Sequence, residues 1–143
     1  MNLVFLNPVS TVEIERLVTS FKTRKACGFD HINMSDIKSK VKILSTPLCF
    51  LINLSISTGI FPDKIKIARV VPAYKSDNPS LFCNYRPISI LPCFSKFFEK
   101  VVYNRLIDFI EKHNILFSHQ YGFRSQHSTS LALIQLIDET SYL

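Results

Sequence analysis

Tryptophan is absent from the 143 residues, and glycine occurs only three times, at Gly28, Gly59 and Gly122. Glycines this isolated exclude the Gly-rich phosphate loops of Walker or dinucleotide type, which need several within one turn. The four cysteines, Cys27, Cys49, Cys83 and Cys93, form no C-x-x-C pair and have no histidine at zinc-finger spacing. A zinc site is therefore not expected, and a secreted disulfide framework is denser in so short a chain; reduced thiols of the cytoplasm or nucleus are the plain reading. No serine stands in a G-x-S-x-G elbow, no H-E-x-x-H pair occurs, and His31, His113, His119 and His127 are scattered. Asp138 and Glu139 are adjacent, so on a helix they point in different directions and cannot clamp a metal as neighbours. No basic residue precedes Arg16, and Asn7-Pro8 interrupts the start of the chain, a poor pattern for a signal peptide. The apolar run 48–56 is short for a bilayer span and is broken by Asn53, so no membrane is expected.

What is present is apolar and basic. Hydrophobic residues make up 47% and phenylalanine alone accounts for twelve positions, too much for a disordered chain. The mean hydropathy of +0.18 indicates either a rich core or apolar faces that expect a partner. Lysine and arginine exceed the acids by 17 to 11, giving +6, which is compatible with a polyanionic partner. Local basic groups stand at Lys22, Arg24, Lys25 and at Lys38, Lys40, Lys42; either group could also be a solvated face.

The pattern predicts mostly helices with strands between them, an α+β class. Ser10 followed by Glu13 is a capping box for an amphipathic helix over 10–22, with Ile14, Leu17, Val18 and Phe21 on one face. Ser35 is expected to cap a short helix reaching Ile37 and Val41. Thr46 and Pro47 are expected to start a helix that runs to Thr58 and stops at Gly59, apolar nearly all round and hence deeply buried. Strands are expected over 67–74 and 86–91, with Pro72 at an edge position or at the strand's end. A long amphipathic helix follows over 94–112, then a short extended piece over 121–124, then a helix capped by Ser128 or Thr129 and carrying Leu131, Leu133, Ile134, Leu136 and Ile137.

Three segments, taken in order, carry a resemblance. Lys25-Ala26-Cys27-Gly28-Phe29-Asp30-His31-Ile32 resembles a K-A-x-G-x-D-x-I opening. Gly59-Ile60-Phe61-Pro62, Ala68-Arg69-Val70-Val71-Pro72-Ala73-Tyr74-Lys75, Asn84-Tyr85-Arg86-Pro87-Ile88-Ser89-Ile90-Leu91 and Ser95-Lys96 with Phe98-Glu99-Lys100 resemble a run of the form G-x-F-P, V-x-P-x-x-K, N-Y-R-P-I-S-x-L and S-K-x-x-E-K. Gln120-Tyr121-Gly122-Phe123-Arg124 with Ser128-Thr129 resembles Q-x-G-F-R followed by S-T. Together they cover about residues 20–140 and resemble the reverse transcriptases of non-LTR retrotransposons, of Jockey-like type. The missing Trp near Lys64 and Lys66, and Ala73 in place of a larger aliphatic residue, depart from the pattern.

The resemblance implies part of a right-handed polymerase: a helical lead-in over about 10–66, fingers strands and a long helix over 67–124, and a helix over 125–143 that leads toward the palm. It implies that Arg86 meets the triphosphate of the incoming nucleotide, that Lys75 stands near the same phosphates or the template, and that Arg124, Lys25 and Arg24 touch nucleic-acid backbone. Phe123 could equally serve the core. The planar fork of arginine and the compact charge of lysine suit phosphate oxygens. In the intact protein the implied partners are an RNA template, a DNA primer and deoxynucleotides, with Mg2+ held by aspartates that are not among these residues. The 143 residues alone are thus expected not to polymerise, and the oligomeric state stays open. A non-catalytic basic nucleic-acid-binding module, or a globular fragment with no function of its own, are the alternatives.

Overall fold

The computed structural model describes residues 6–23, 26–117, 119–124 and 126–141. The chain divides into two compact units, Met1–Arg105 and Leu106–Leu143.

In the first unit, α1 spans Thr11–Ser20, and its N-terminus is closed by the Ser10 hydroxyl, which accepts from the Glu13 amide at 3.2 Å. Its stripe of Ile14, Leu17 and Val18 is buried, as the 3.6-residue period requires. The short helix α2, Met34–Ser39, buries Met34 and Ile37. It begins after Asn33, so Ser35 lies inside the helix and does not cap it.

Next comes α3, Val41–Thr58, which starts five residues before the expected Thr46 and holds Pro47 in its interior. Pro47 cannot donate to the carbonyl of Ile43. Both residues lie on the exposed side, where water can take the free acceptor. Gly59 closes the helix in the left-handed conformation at φ 69°.

The expected deep burial of α3 is not found. Only Ser45, Leu48 and Ile52 are buried, whereas Ile43, Phe50, Leu51 and Leu54 are exposed. The reason is geometric: α1 and its neighbours cover one stripe of α3, and among the described residues of this unit the apolar side chains around the rest of its circumference stay exposed. By length and mean hydropathy (18 residues, 1.4) α3 could cross a bilayer. Its polar side chains, however, are engaged within the helical layer. Asn53 exchanges two hydrogen bonds with the Val9 backbone, at 2.8 and 3.0 Å, and the buried Ser45 donates to Glu15 at 3.1 Å.

The helix α4 spans Cys93–Lys112, its part up to Arg105 belonging to this unit, and buries Cys93, Ser95, Phe97, Phe98 and Val101. With the buried stripes of α1, α2 and α3 these form one core, in which Phe97 stands edge-on to both Phe21 and Phe94.

Between α3 and α4 the chain forms an antiparallel hairpin, β1 Arg69–Tyr74 and β2 Tyr85–Ile90. Pro72 stands opposite Pro87, inside the ladder and not at its end. The Lys75 amide donates to Asn84 at 2.8 Å, so hydrogen-bonded pairs alternate from there as 75/84, 73/86, 71/88 and 69/90. The two prolines thus share a non-hydrogen-bonded pair, and their missing N–H groups cost the ladder nothing. Each strand has an unpaired outer side, as expected for Pro72 at an edge.

In the second unit, α5 spans Thr129–Ser141, and the Leu131 amide donates to the Ser128 hydroxyl at 3.2 Å, which makes Ser128 the cap. No residue of α5 is buried. Residues 121–124 form a turn, not an extended piece, and Phe123 adopts φ 60° with its ring fully in solvent. It is not a core residue.

Candidate functional site

The hairpin is tied to the helical layer at both ends and free in between. At its entry the Ser95 hydroxyl of α4, wholly buried, donates to the carbonyl of Ile65 in the 3-10 turn Asp63–Ile65, and Phe61 stands edge-on to Phe98 at 5.5 Å. At its exit the backbone of Gly28 presses on Leu91 and Pro92 so closely that a Cβ at Gly28 would lie 2.7 Å from the Pro92 nitrogen. Beside it the Cys93 thiol donates to the Ile32 carbonyl at 3.3 Å, and burial holds that thiol above its ordinary pKa. The glycine of the K-A-x-G-x-D segment and the serine of S-K-x-x-E-K therefore act as clamps that aim the hairpin.

No residue of either strand is buried. Alternation sorts the side chains into two unlike faces. One carries Arg69, Val71 and Ala73 opposite Ile90, Ile88 and Arg86, and continued alternation adds Lys75. The other carries Val70, Pro72 and Tyr74 opposite Ser89, Pro87 and Tyr85, with the two tyrosine rings edge-on at 5.6 Å. The tyrosine hydroxyls turn toward the connecting loop: Tyr74 donates to the Asp77 carbonyl and Tyr85 to that of Pro79. Asn84 and Asn78 close the loop, with Asn84 donating to the Asn78 carbonyl at 2.8 Å.

The first face is cationic without compensation. Neither strand contains an acid, and Arg69, Lys75 and Arg86 have no ion-pair or hydrogen-bond partner for their side chains among the described residues. Other cations are engaged structurally: Lys38 donates to the Thr19 carbonyl at 2.7 Å, Lys66 pairs with Asp63, and Arg105 grips Glu13. The hairpin thus brings Arg86 and Lys75 onto one surface. It adds Arg69, which the linear pattern did not single out; the register supplies the signal, because 69, 73 and 75 have the parity that faces 86.

Arg124 lies in the second unit. It lines a cleft of about 430 Å3 with Glu111, Asn114, Gln126 and His127, and its carbonyl accepts from the His127 amide. Arg24 and Lys25 fall outside the described residues. Among the described residues no three His, Cys, Asp or Glu side chains converge where they could hold a metal ion. Glu139 instead accepts from Gln135 at 2.7 Å and faces His119.

No family model matches the chain. It is similar to a probable RNA-directed DNA polymerase from transposon BS of Drosophila melanogaster, 29% identical over 96% of this chain and 16% of that protein. It is similar also to the probable RNA-directed DNA polymerase from transposon X-element of the same species, 27% identical over 94% of the chain and 15% of the relative. With the RNA-directed DNA polymerase from mobile element jockey it shares 28% over 93% and 15%. The chain is a homologue of non-LTR retrotransposon reverse transcriptases. It spans about 15% of the length of these relatives. The similarity covers the hairpin, both of its clamps and the Gln120 to Arg124 segment, so the retrotransposon homology and the cationic face fall on the same stretch of chain.

Proposed function

We propose that this chain is the fingers-side portion of a right-handed polymerase that copies RNA into DNA, and that its hairpin handles phosphate. The carrying observation is the exposed, acid-free hairpin face on which Arg86 and Lys75 stand together with no side-chain partner among the described residues. An arginine fork takes two phosphate oxygens at once, and a lysine beside it adds a movable point charge. On this reading Arg86 and Lys75 hold the triphosphate of the incoming deoxynucleotide, while Arg124, Lys25 and Arg24 touch the backbone of the RNA template or DNA primer. The helical lead-in of about 10–66 and the segment 67–124 form the fingers side, and 125–143 leads toward the palm. The protein works in the cytoplasm or nucleus.

Nucleotidyl transfer of this class uses two divalent cations, expected to be Mg2+, that stabilise the attacking and leaving oxygens. The described residues do not fit such a pair, having no cluster of carboxylates. The 143 residues by themselves are expected not to synthesise DNA.

Two measurements test the reading. Titration of the chain with a labelled RNA–DNA template-primer should give an affinity that falls steeply as salt rises, because phosphate contacts release counterions. Affinity indifferent to salt would overturn it. In a polymerase that includes this segment, Arg86→Ala should raise the apparent KM for deoxynucleotides; an unchanged KM removes Arg86 from the triphosphate site.

A further inference from the structure

Arg69 opens β1 on the same face as Arg86, and it differs from the other cations of the hairpin in being half-buried. Its Nε is shielded from solvent and has no hydrogen-bond partner among the described residues. A shielded guanidinium donor without an acceptor is costly, and in proteins such a donor is completed by another protein group, an ordered water or a ligand. Arg69 also sits at the anchored end of the hairpin, close to the Ser95 and Gly28 clamps, so its base is the least mobile part of the face.

Its distance from Arg86 indicates what such a ligand is. The pairs 69/90 and 73/86 are four residues apart on β1, about 14 Å at 3.4 Å per residue. A strand, with a phosphate at every nucleotide, offers acceptors along this whole length, while a triphosphate tail is one compact cluster. Between the two arginines stand Val71 and Ile88, both exposed and apolar, suited to sugar or base surface. We propose that Arg69 is a further phosphate-binding residue, and that it extends the cationic face from a nucleotide site into a track for a nucleic-acid strand. The proposal rests on the reading of this face given under the preceding heading.

The test is fluorescence anisotropy of a labelled single-stranded RNA titrated with the chain across a salt series. Wild type should bind with a clear salt slope. Arg69→Gln should weaken binding several-fold at low salt and make the slope shallower by about 0.7, the value for one single-strand phosphate contact. Arg69→Lys, which keeps the charge, should retain most of the slope, an outcome that a purely structural role for the guanidinium would not give. A wild-type chain that binds without salt dependence sinks the reading of the whole face. A wild-type slope with an identical slope in folded Arg69→Gln sinks only the Arg69 track. Should Arg69→Gln not fold, the wild type decides by footprinting. Bound RNA should slow modification of Arg69 by phenylglyoxal while leaving exposed Arg16 as reactive as before; equal rates with and without RNA overturn the proposal.

Discussion

Arg105 grips both carboxylate oxygens of Glu13, each at 2.8 Å, and thereby joins α4 to the first turn of α1. The same guanidinium donates through Nε to the Asn7 carbonyl at 3.3 Å. The hydrogen bonds from Arg105 hold the Glu13 carboxyl below its ordinary value. Partial burial opposes them, while the charge of Arg105 and the Ser10 amide reinforce them.

Acid should therefore weaken the fold through this pair. Because folding lowers the Glu13 pKa, the unfolded chain binds the extra proton. The stabilisation is complete above the ordinary value of 4.5 and is lost as pH falls through the lowered folded one. Glu13→Gln is expected to cost about 1–2 kcal/mol at neutral pH, with the difference from wild type shrinking below pH 4.5. Urea unfolding at several pH values checks it, and a difference of constant size down to the acid end would remove the charge from the explanation.

The two glycines with structural reasons should respond differently to alanine. A Cβ at Gly28 meets the backbone of Pro92, which cannot move without shifting the start of α4, so Gly28→Ala should cost about 1–3 kcal/mol. Gly59 has open space but φ 69°, so its penalty is conformational, about 1–2 kcal/mol. Asparagine should recover part of the loss at 59 and none at 28. Equal recovery at both sites would show that the close approach to Pro92 is not limiting.

Proline placement in the hairpin makes a positional prediction. Pro72→Val restores an N–H that points away from β2, so ladder stability should hardly change while the exposed edge becomes able to recruit another strand. Val71→Pro removes a donor that β2 uses and should cost about 1–3 kcal/mol. Hydrogen exchange at Ala73 and Ile88 reports the second effect, and light scattering the first. Similar loss of protection in both variants would mean the register is wrong.

Neighbouring residues of α3 should behave as opposites. Ile52 is 1% exposed and Phe50 67% exposed. Ile52→Ala should destabilise by about 2–5 kcal/mol, whereas Phe50→Ser should leave stability nearly unchanged and raise solubility by breaking an exposed apolar face. If Phe50→Ser unfolds the chain, that face is part of the folding core.

Much of this architecture was legible in linear form. Ser10 with Glu13, the stripe of Ile14, Leu17 and Val18, the stop at Gly59 and the length of α4 all depend on contacts within a few residues, which local spacing encodes. The ordered motifs around Gly28, Arg86 and Arg124 likewise pointed to the retrotransposon polymerases before any geometry was known. Burial was not legible in the same way. Hydropathy records that Phe50, Leu51 and Leu54 are apolar, not whether another element covers them, and α3 was expected to be buried for that reason. For Phe123 the sequence left core and surface open, and the turn conformation that carries its ring outward decides for the surface.

Local periodicity determined by itself where the main helices and the two strands lie, and the ordered motifs carry the family resemblance. Only tertiary structure decided which side chains share a surface. Whether Arg69 stands with Arg86 depends on the strand register, and where that surface lies depends on contacts distant in sequence, Ser95 on Ile65 and Gly28 on Pro92. Alternation along a strand assigns faces only relative to a partner, and long-range packing supplies both the partner and the direction in which the face looks.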